Sequence, residues 1–288
     1  MSDITRVGVI GCGLMGAGIA EVCARAGLDV LVREIDERAA AAGRARIEKS
    51  LGRAVRAGKL AGPDRDAALE RIAVTTDVGD LADRDLVIEA ATEDPDVKTA
   101  LFAALDAAVK RPDAILATNT SSIPIAQVAS ATTRPAQVIG LHFFNPVPVQ
   151  NLVELTPSVL TGEDTATRAR AFAAEVLGKS VIIAKDRAGF IVNTLLVPYL
   201  LSAIRMYEAG YATAEDIDTG MRAGCAHPMG PLELADFIGL DTLEAIADTM
   251  HGEYAEPLHA APPLLRRMTA AGLLGRKTGR GFYEYPRR

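Results

Sequence analysis

Val7-Gly8-Val9-Ile10-Gly11-Cys12-Gly13-Leu14-Met15-Gly16 is the stretch on which the fold turns. A short apolar run ends in glycines at 11, 13 and 16, and residues 14–26 then carry apolar side chains at helical spacing before a stop at Gly27. Strand, tight turn and helix in that order are the context in which a G-x-G-x-x-G spacing is informative. The first glycine allows the turn, the second lets a pyrophosphate approach the backbone, and the third lets helix and strand pack closely. Free N–H groups at the helix start attract the anion. Gly11, Gly13, Leu14, Met15 and Gly16 are therefore candidate dinucleotide contacts.

Working outward, residues 29–33 form a second strand-like run, and Glu34 follows it 23 positions after Gly11. That is near the offset of about 20 expected of the acid that holds the adenosine ribose. A carboxylate there accepts bonds from the ribose hydroxyls and repels a 2′-phosphate, so NAD is favoured over NADP. Arg33 argues the other way, because an arginine at this turn can pair with a 2′-phosphate. An Ala/Arg-rich segment at 36–59 favours helix, and strand-like runs recur at 72–74, 86–88, 114–117, 138–141 and 181–183, most of them separated by helical stretches such as 97–109. The alternation predicts an α/β class: a doubly wound, mainly parallel sheet covered on both faces.

After Ala184 the alternation stops. Residues 190–209, 214–223, 232–250 and 264–271 read as helices with no strand between them, with Pro198 inside the first. The expected division is a Rossmann-type domain at 1–186 and an all-α domain at 187–288. The 31 Lys and Arg against 37 Asp and Glu leave a net charge of −6, which argues against a partner rich in phosphates such as nucleic acid. Cys12, Cys23 and Cys225 contain no Cys-x-x-Cys spacing and one is necessarily unpaired, so neither a disulfide framework nor a metal site is expected. The start lacks a basic n-region, and the most apolar uncharged run, 188–204, is too short to span a bilayer. A cytoplasmic protein without a membrane partner is expected.

With four histidines, at 142, 227, 251 and 259, the search for a proton-transfer group is short. His142 follows the predicted strand 138–141, at the carboxyl end of a parallel strand, where open α/β sheets place their active sites. Glu154 lies 12 residues on, inside the apolar segment Leu152-Val153-Glu154-Leu155. A carboxylate buried there needs a partner, and an imidazole is the partner that also makes chemical sense. Thr118-Asn119-Thr120-Ser121-Ser122 offers small polar side chains after another strand, with Ser122 the better candidate for capping a helix near Ile123-Pro124. Asn193 is a lone amide in the apolar run that opens the helical domain.

The glycine turn, Asn119-Thr120-Ser121-Ser122, His142-Phe143-Phe144-Asn145-Pro146, Leu152-Val153-Glu154, Gly189-Phe190-Ile191-Val192-Asn193, His227-Pro228-Met229-Gly230-Pro231 and Lys277-Thr278-Gly279-Arg280-Gly281-Phe282-Tyr283, in this order, cover nearly the whole chain. Together they resemble the L-3-hydroxyacyl-CoA dehydrogenase family, in particular its short bacterial 3-hydroxybutyryl-CoA members. The resemblance implies a Rossmann domain followed by a helical substrate and dimerisation domain, a homodimer, NAD as cofactor and an acyl-CoA thioester as substrate. It implies His142 as acid and base, Glu154 as its orienting carboxylate, and Ser121 and Asn193 around the 3-oxygen and thioester. It also implies NAD contacts from Glu93, Lys98, Asn119, Ser121, Asn145 and Lys277, and a CoA contact from Ser50. A local basic excess at 38–59, seven cations against Glu48 alone, adds Lys49, Arg53 and Arg56 as candidates for the CoA phosphates. Gln150-Asn151 and Pro95 depart from the family's usual pattern at the rim. Rival readings are a same-fold dehydrogenase of a sugar acid such as L-gulonate, one acting on a carrier-protein-bound 3-hydroxyacyl group, and a non-catalytic NAD-binding protein. A lysine-based 3-hydroxyisobutyrate dehydrogenase is disfavoured because 188–204 contains no lysine.

Overall fold

A computed structural model describes residues 3–286. The chain divides into a compact unit that ends at Arg187 and a second that begins at Ala188. Among the described residues of the first unit, eight strands form one sheet: β1 (Arg6–Ile10), β2 (Asp29–Arg33), β3 (Ile72–Thr75), β4 (Leu86–Glu89), β5 (Ile115–Thr118), β6 (Val138–Phe143), β7 (Leu152–Thr156) and β8 (Ser180–Ile183), in the order β3-β2-β1-β4-β5-β6-β7-β8. Strands β4, β5 and β6 are buried at every residue, which is why residues 86–88, 115–117 and 138–141 read as unbroken apolar runs, with Glu89, Thr118 and His142 buried at or near their ends. Helices α1 (Leu14–Arg25), α2 (Glu37–Arg56), α3 (Gly62–Glu70), α4 (Pro95–Ala108), α5 (Ile125–Ala129) and α6 (Glu163–Ala171) link the strands. Between them, α1 buries Ala17, Ile19, Ala20, Cys23 and Ala24, and α2 buries Ile47 and Leu51, in one core with the sheet. The strand order runs outward in both directions from β1 and β4, so the ends of these two strands mark the switch point where ligands bind in such sheets.

In this unit two local expectations need correction. Leu152-Val153-Glu154-Leu155 belongs to a strand absent from the sequence reading, β7, which runs antiparallel to β6 and parallel to β8. Ser122 does not cap α5. The Asp186 carboxylate, 61 residues on, accepts from the N–H of Ile125 at 2.7 Å, and its other oxygen accepts from Ala126 at 2.9 Å.

The second unit consists of α7 (Val192–Glu208), α8 (Ala214–Cys225), α9 (Pro231–Ile238), α10 (Leu240–Tyr254) and α11 (Pro263–Ala270), packed on Leu200, Leu201, Ile204, Leu232, Leu243 and Met250. Pro198 sits inside α7, as the sequence requires. The single helix expected at 232–250 is two, because Gly239 at φ +102° leaves the helical region between α9 and α10. Two buried carboxylates organise the later motifs. Asp218 accepts from the N–H groups of Leu232 and Glu233 and from the Tyr283 hydroxyl, at 2.8–2.9 Å. Asp236 accepts from the N–H groups of Phe282 and Tyr283 and the Tyr285 hydroxyl, each at 3.0 Å. A Cβ at Gly281 would stand 1.9 Å from Asp236 Oδ1, so the Gly-Phe-Tyr sequence has a packing reason of its own.

Candidate active site

The glycine turn has the form its spacing requires. Gly11 adopts φ +82° and its N–H donates to the Arg33 carbonyl at 2.9 Å. A Cβ on Gly16 would stand 1.8 Å from the Gly11 carbonyl oxygen, whereas one on Gly13 would meet nothing within 4 Å. The third glycine thus closes the turn, and the second leaves its outer side open to a ligand. Leu14 begins α1 and is largely exposed, and Met15 packs partly against the core. A groove beside the turn is lined by Gly11, Gly13, Glu34, Ile35, Val97 and Leu101, an apolar floor with one carboxylate at its side. Glu34 accepts from the N–H of Cys12 and, at 3.1 Å, from that of Ile35. Arg33 instead donates to the Thr76 carbonyl at 3.3 Å. These residues fit a dinucleotide: an anion-accepting turn, an apolar groove and a carboxylate at the end of β2.

Cross-strand pairing builds the second part of the site. In the β6–β7 register His142 stands opposite Glu154, which sets both side chains on the same face of the sheet. His142 Nδ1 and Glu154 Oε2 are 2.7 Å apart, with side-chain exposures of 8% and 0%. An ionised carboxylate only accepts, so Nδ1 carries the proton of this bond and Nε2 is left as the atom that can take or give one. The Phe144 ring lies 4.6 Å from the imidazole. Asn119, after β5, accepts from the Phe143 N–H through Oδ1 at 2.8 Å and donates its own N–H to the Glu89 carbonyl at 2.8 Å, tying the ends of β4, β5 and β6 together. Asn145, two residues past β6, is exposed.

Glu93 gathers the turn after β5. Its Oε1 accepts from the Thr120 hydroxyl, from the Ser121 N–H at 2.9 Å, and more loosely from the hydroxyls of Ser122 at 3.3 Å and Ser121 at 3.4 Å. Burial raises the Glu93 carboxyl, but the Lys98 ammonium with the Thr120 and Ser121 donors outweighs it and holds the group below the usual carboxylate range. Lys98 is itself buried, in α4. Behind it stands Glu89, which sequence reasoning missed; the signal that could have found it is the one that marks Glu154, a carboxylate against the apolar run Leu86-Val87-Ile88.

The remaining candidates lie elsewhere. Ser50, half-buried, and Arg53 and Arg56, exposed, are on α2. Of the basic excess there, Arg44 serves the fold by donating to the Ile72 carbonyl at 2.6 Å, and Arg46 by donating to that of Cys12. Asn193, buried in the first turn of α7, and Lys277, ion-paired with Asp241, belong to the helical unit.

The fold and these groups define a dinucleotide-binding α/β unit with a histidine–carboxylate pair at the carboxyl edge of its sheet, the outline of a dehydrogenase. Residues 6–187 match the family model of the 3-hydroxyacyl-CoA dehydrogenase NAD-binding domain, and residues 189–285 that of the same family's C-terminal domain. The chain is 60% identical to a 3-hydroxybutyryl-CoA dehydrogenase of Mycobacterium tuberculosis, over 99% of this chain and 100% of that one. It is 45% identical to the mitochondrial hydroxyacyl-coenzyme A dehydrogenase of Homo sapiens, over 98% and 91%. The crystal structure of (S)-3-hydroxybutyryl-CoA dehydrogenase from Ralstonia eutropha superimposes with a TM-score of 0.92 at 44% identity, covering 99% of this chain and 100% of that one. The chain belongs to the 3-hydroxyacyl-CoA dehydrogenase family. No helix among the described residues is long and apolar enough to cross a membrane.

Proposed function

We propose that this chain interconverts (S)-3-hydroxybutyryl-CoA and acetoacetyl-CoA with NAD(H). The observation that carries the reading is the buried 2.7 Å pair of His142 and Glu154 at the carboxyl edge of the sheet, in a chain whose relatives are named for that reaction. Bound NAD supplies the hydride acceptor or donor. In oxidation His142 Nε2 takes the proton of the 3-hydroxyl, and Glu154 stabilises the imidazolium that forms; in reduction the same atom returns the proton. Such positioned acid–base catalysis contributes about 10² to 10⁴-fold. In this reading Gly11, Gly13, Leu14, Met15, Gly16, Glu34, Glu93, Lys98, Asn119, Asn145 and Lys277 hold or frame NAD, and Ser121 and Asn193 surround the 3-oxygen and thioester. Ser50, Arg53 and Arg56 face the CoA phosphates. Residues 1–186 are the cofactor domain and 187–288 the substrate and dimerisation domain of a cytoplasmic homodimer. The exposed Leu195, 72% accessible on α7, supports the dimer.

The test is the fall in absorbance of NADH with acetoacetyl-CoA and purified protein, compared with an acetoacetyl-carrier-protein and with acetoacetyl-pantetheine. Turnover of the carrier-protein thioester alone would replace the CoA reading. Equal KM for the pantetheine and CoA thioesters at low salt would remove the role of the α2 cations. Light scattering that returned 30.3 kDa at micromolar concentration would overturn the dimer.

A further inference from the structure

Glu89 closes β4 with its carboxylate wholly buried, and the Lys98 ammonium lies against it, 1% exposed, at 2.6 Å from one oxygen and 2.8 Å from the other. The same carboxylate accepts from the Thr118 hydroxyl of β5 and from the Ala91 N–H, each at 2.7 Å. One side chain thus joins the ends of β4 and β5, the loop after β4 and α4. A third acceptor completes the ammonium: Glu93 Oε2 at 3.3 Å, on a side chain 41% exposed. An ammonium has three protons, and the two Glu89 oxygens and this one provide three acceptors for them. Lys98 therefore works inward, through the two carboxylates. A buried ion pair of this kind adds little to stability relative to well-packed apolar residues, so its consequence lies in where it holds Glu93. The other oxygen of Glu93 collects the donors of the Thr120-Ser121-Ser122 turn.

We propose that Glu89 is a positioning residue for the reaction: it fixes Lys98, Lys98 fixes Glu93, and Glu93 sets the Ser121 turn at the carboxyl edge of the sheet. The inference rests on the activity reading above, and it makes Lys98 a support of the site more than a direct contact of the cofactor.

The experiment compares full-length wild type, Glu89→Gln, Glu89→Asp and the charge-balanced Glu89→Gln/Lys98→Met for kcat and KM with acetoacetyl-CoA and NADH, and for Tm. Glu89→Gln should fold and lose about 10 to 100-fold in kcat, the range that a displacement of about an ångström causes, with KM for acetoacetyl-CoA little changed. The double variant separates positioning from mere stability. It should recover Tm while kcat stays low, because Glu93 has lost its anchor; recovery of both would overturn the proposal. If Glu89→Gln does not fold, Glu89→Asp gives the answer, since it keeps the charge and withdraws it by one methylene: reduced kcat supports the proposal, and wild-type kcat and KM overturn it. Wild-type protein without turnover would overturn the activity reading instead. Wild-type turnover with an indifferent folded Glu89→Gln would overturn this inference alone.

Discussion

Replacing Glu154 by Gln removes a charge from the site without removing volume, so no cavity enters the accounting. The loss falls on the bond to His142, 2.7 Å long with both partners buried. A hydrogen bond to a charged group is worth about 1.5–3 kcal/mol and a neutral one about 0.5–1.5 kcal/mol, so the imidazolium loses about 1–2 kcal/mol of support. If that support is fully expressed in the transition state, kcat falls about 5 to 30-fold. This figure holds when the Gln oxygen faces Nδ1. If the amide nitrogen faces it instead, the ring is forced into the tautomer that protonates Nε2 and the base is lost; the equivalent acid-to-amide change in a serine-protease triad costs about 10⁴-fold. The expected loss therefore lies between these limits, while His142→Gln, which removes the proposed proton carrier, should lose about 10² to 10⁴-fold. The double variant should be no slower than His142→Gln, because a carboxylate that acts through the ring has nothing to act on once the ring is gone. The assay is NADH consumption with acetoacetyl-CoA, with circular dichroism to confirm the fold. Wild-type kcat in Glu154→Gln, or losses that multiply in the double variant, would refute the coupling.

Three further outcomes follow from other parts of the structure. Turnover should be faster with NADH than with NADPH, and Glu34→Gln should narrow the kcat/KM ratio about tenfold, the worth of one charged hydrogen bond; equal values in wild type would assign the choice to Arg33. At Asp85, burial raises the carboxyl, but the Thr5 and Arg6 N–H groups, at 2.8 Å each, with the Thr5 hydroxyl and Arg111, lower it overall. A depressed folded value means stabilisation present above the unfolded carboxylate range and lost as pH falls through the folded value, so Asp85→Asn should cost about 1–3 kcal/mol at pH 7 and less near pH 3 in denaturant titrations; a pH-independent difference would contradict this. Burial pushes the Cys12 thiol up to about 11 and Cys23 to about 12, whereas Cys225 is exposed, so a thiol reagent at pH 8 should label Cys225 alone in the folded protein, and fast labelling of a second thiol would count against the packing.

What could be read in the sequence was what is local. The Gly11-Cys12-Gly13 turn, the helix from Leu14 and the placement of Glu34 after β2 all follow from short spacings, and each has its structural cause within a few residues or one βαβ unit. His142 and Glu154 were joined by chemistry, since each needed a partner, but the agent that joins them, the antiparallel register of β6 and β7, was missed. Leu152-Val153-Glu154-Leu155 is short, follows Pro146 and Pro148, and carries a charge, so it gives neither alternation nor a clean apolar run. The break at Gly239 was hidden inside a continuous helical pattern for the same reason: one glycine is tolerated in a helix until its φ is known.

The buried carboxylates mark the limit of such reading. Glu89, Asp218 and Asp236 are three of 37 acidic residues, and apart from the apolar run that precedes Glu89 nothing beside them in the chain distinguishes them from solvated ones. Their partners stand 2 to 65 residues away, at positions that only the strand order and helix packing bring within 3 Å. Each carries the cost of burying charge, and each meets it by collecting several donors, so each ties together segments that hydrophobic periodicity alone leaves free to slide. The apolar pattern therefore specifies which elements form and which faces are covered. The buried acids specify where the turns after those elements stand, and in the first unit those turns carry the Ser121 and Asn119 side chains at the edge of the sheet where His142 pairs with Glu154.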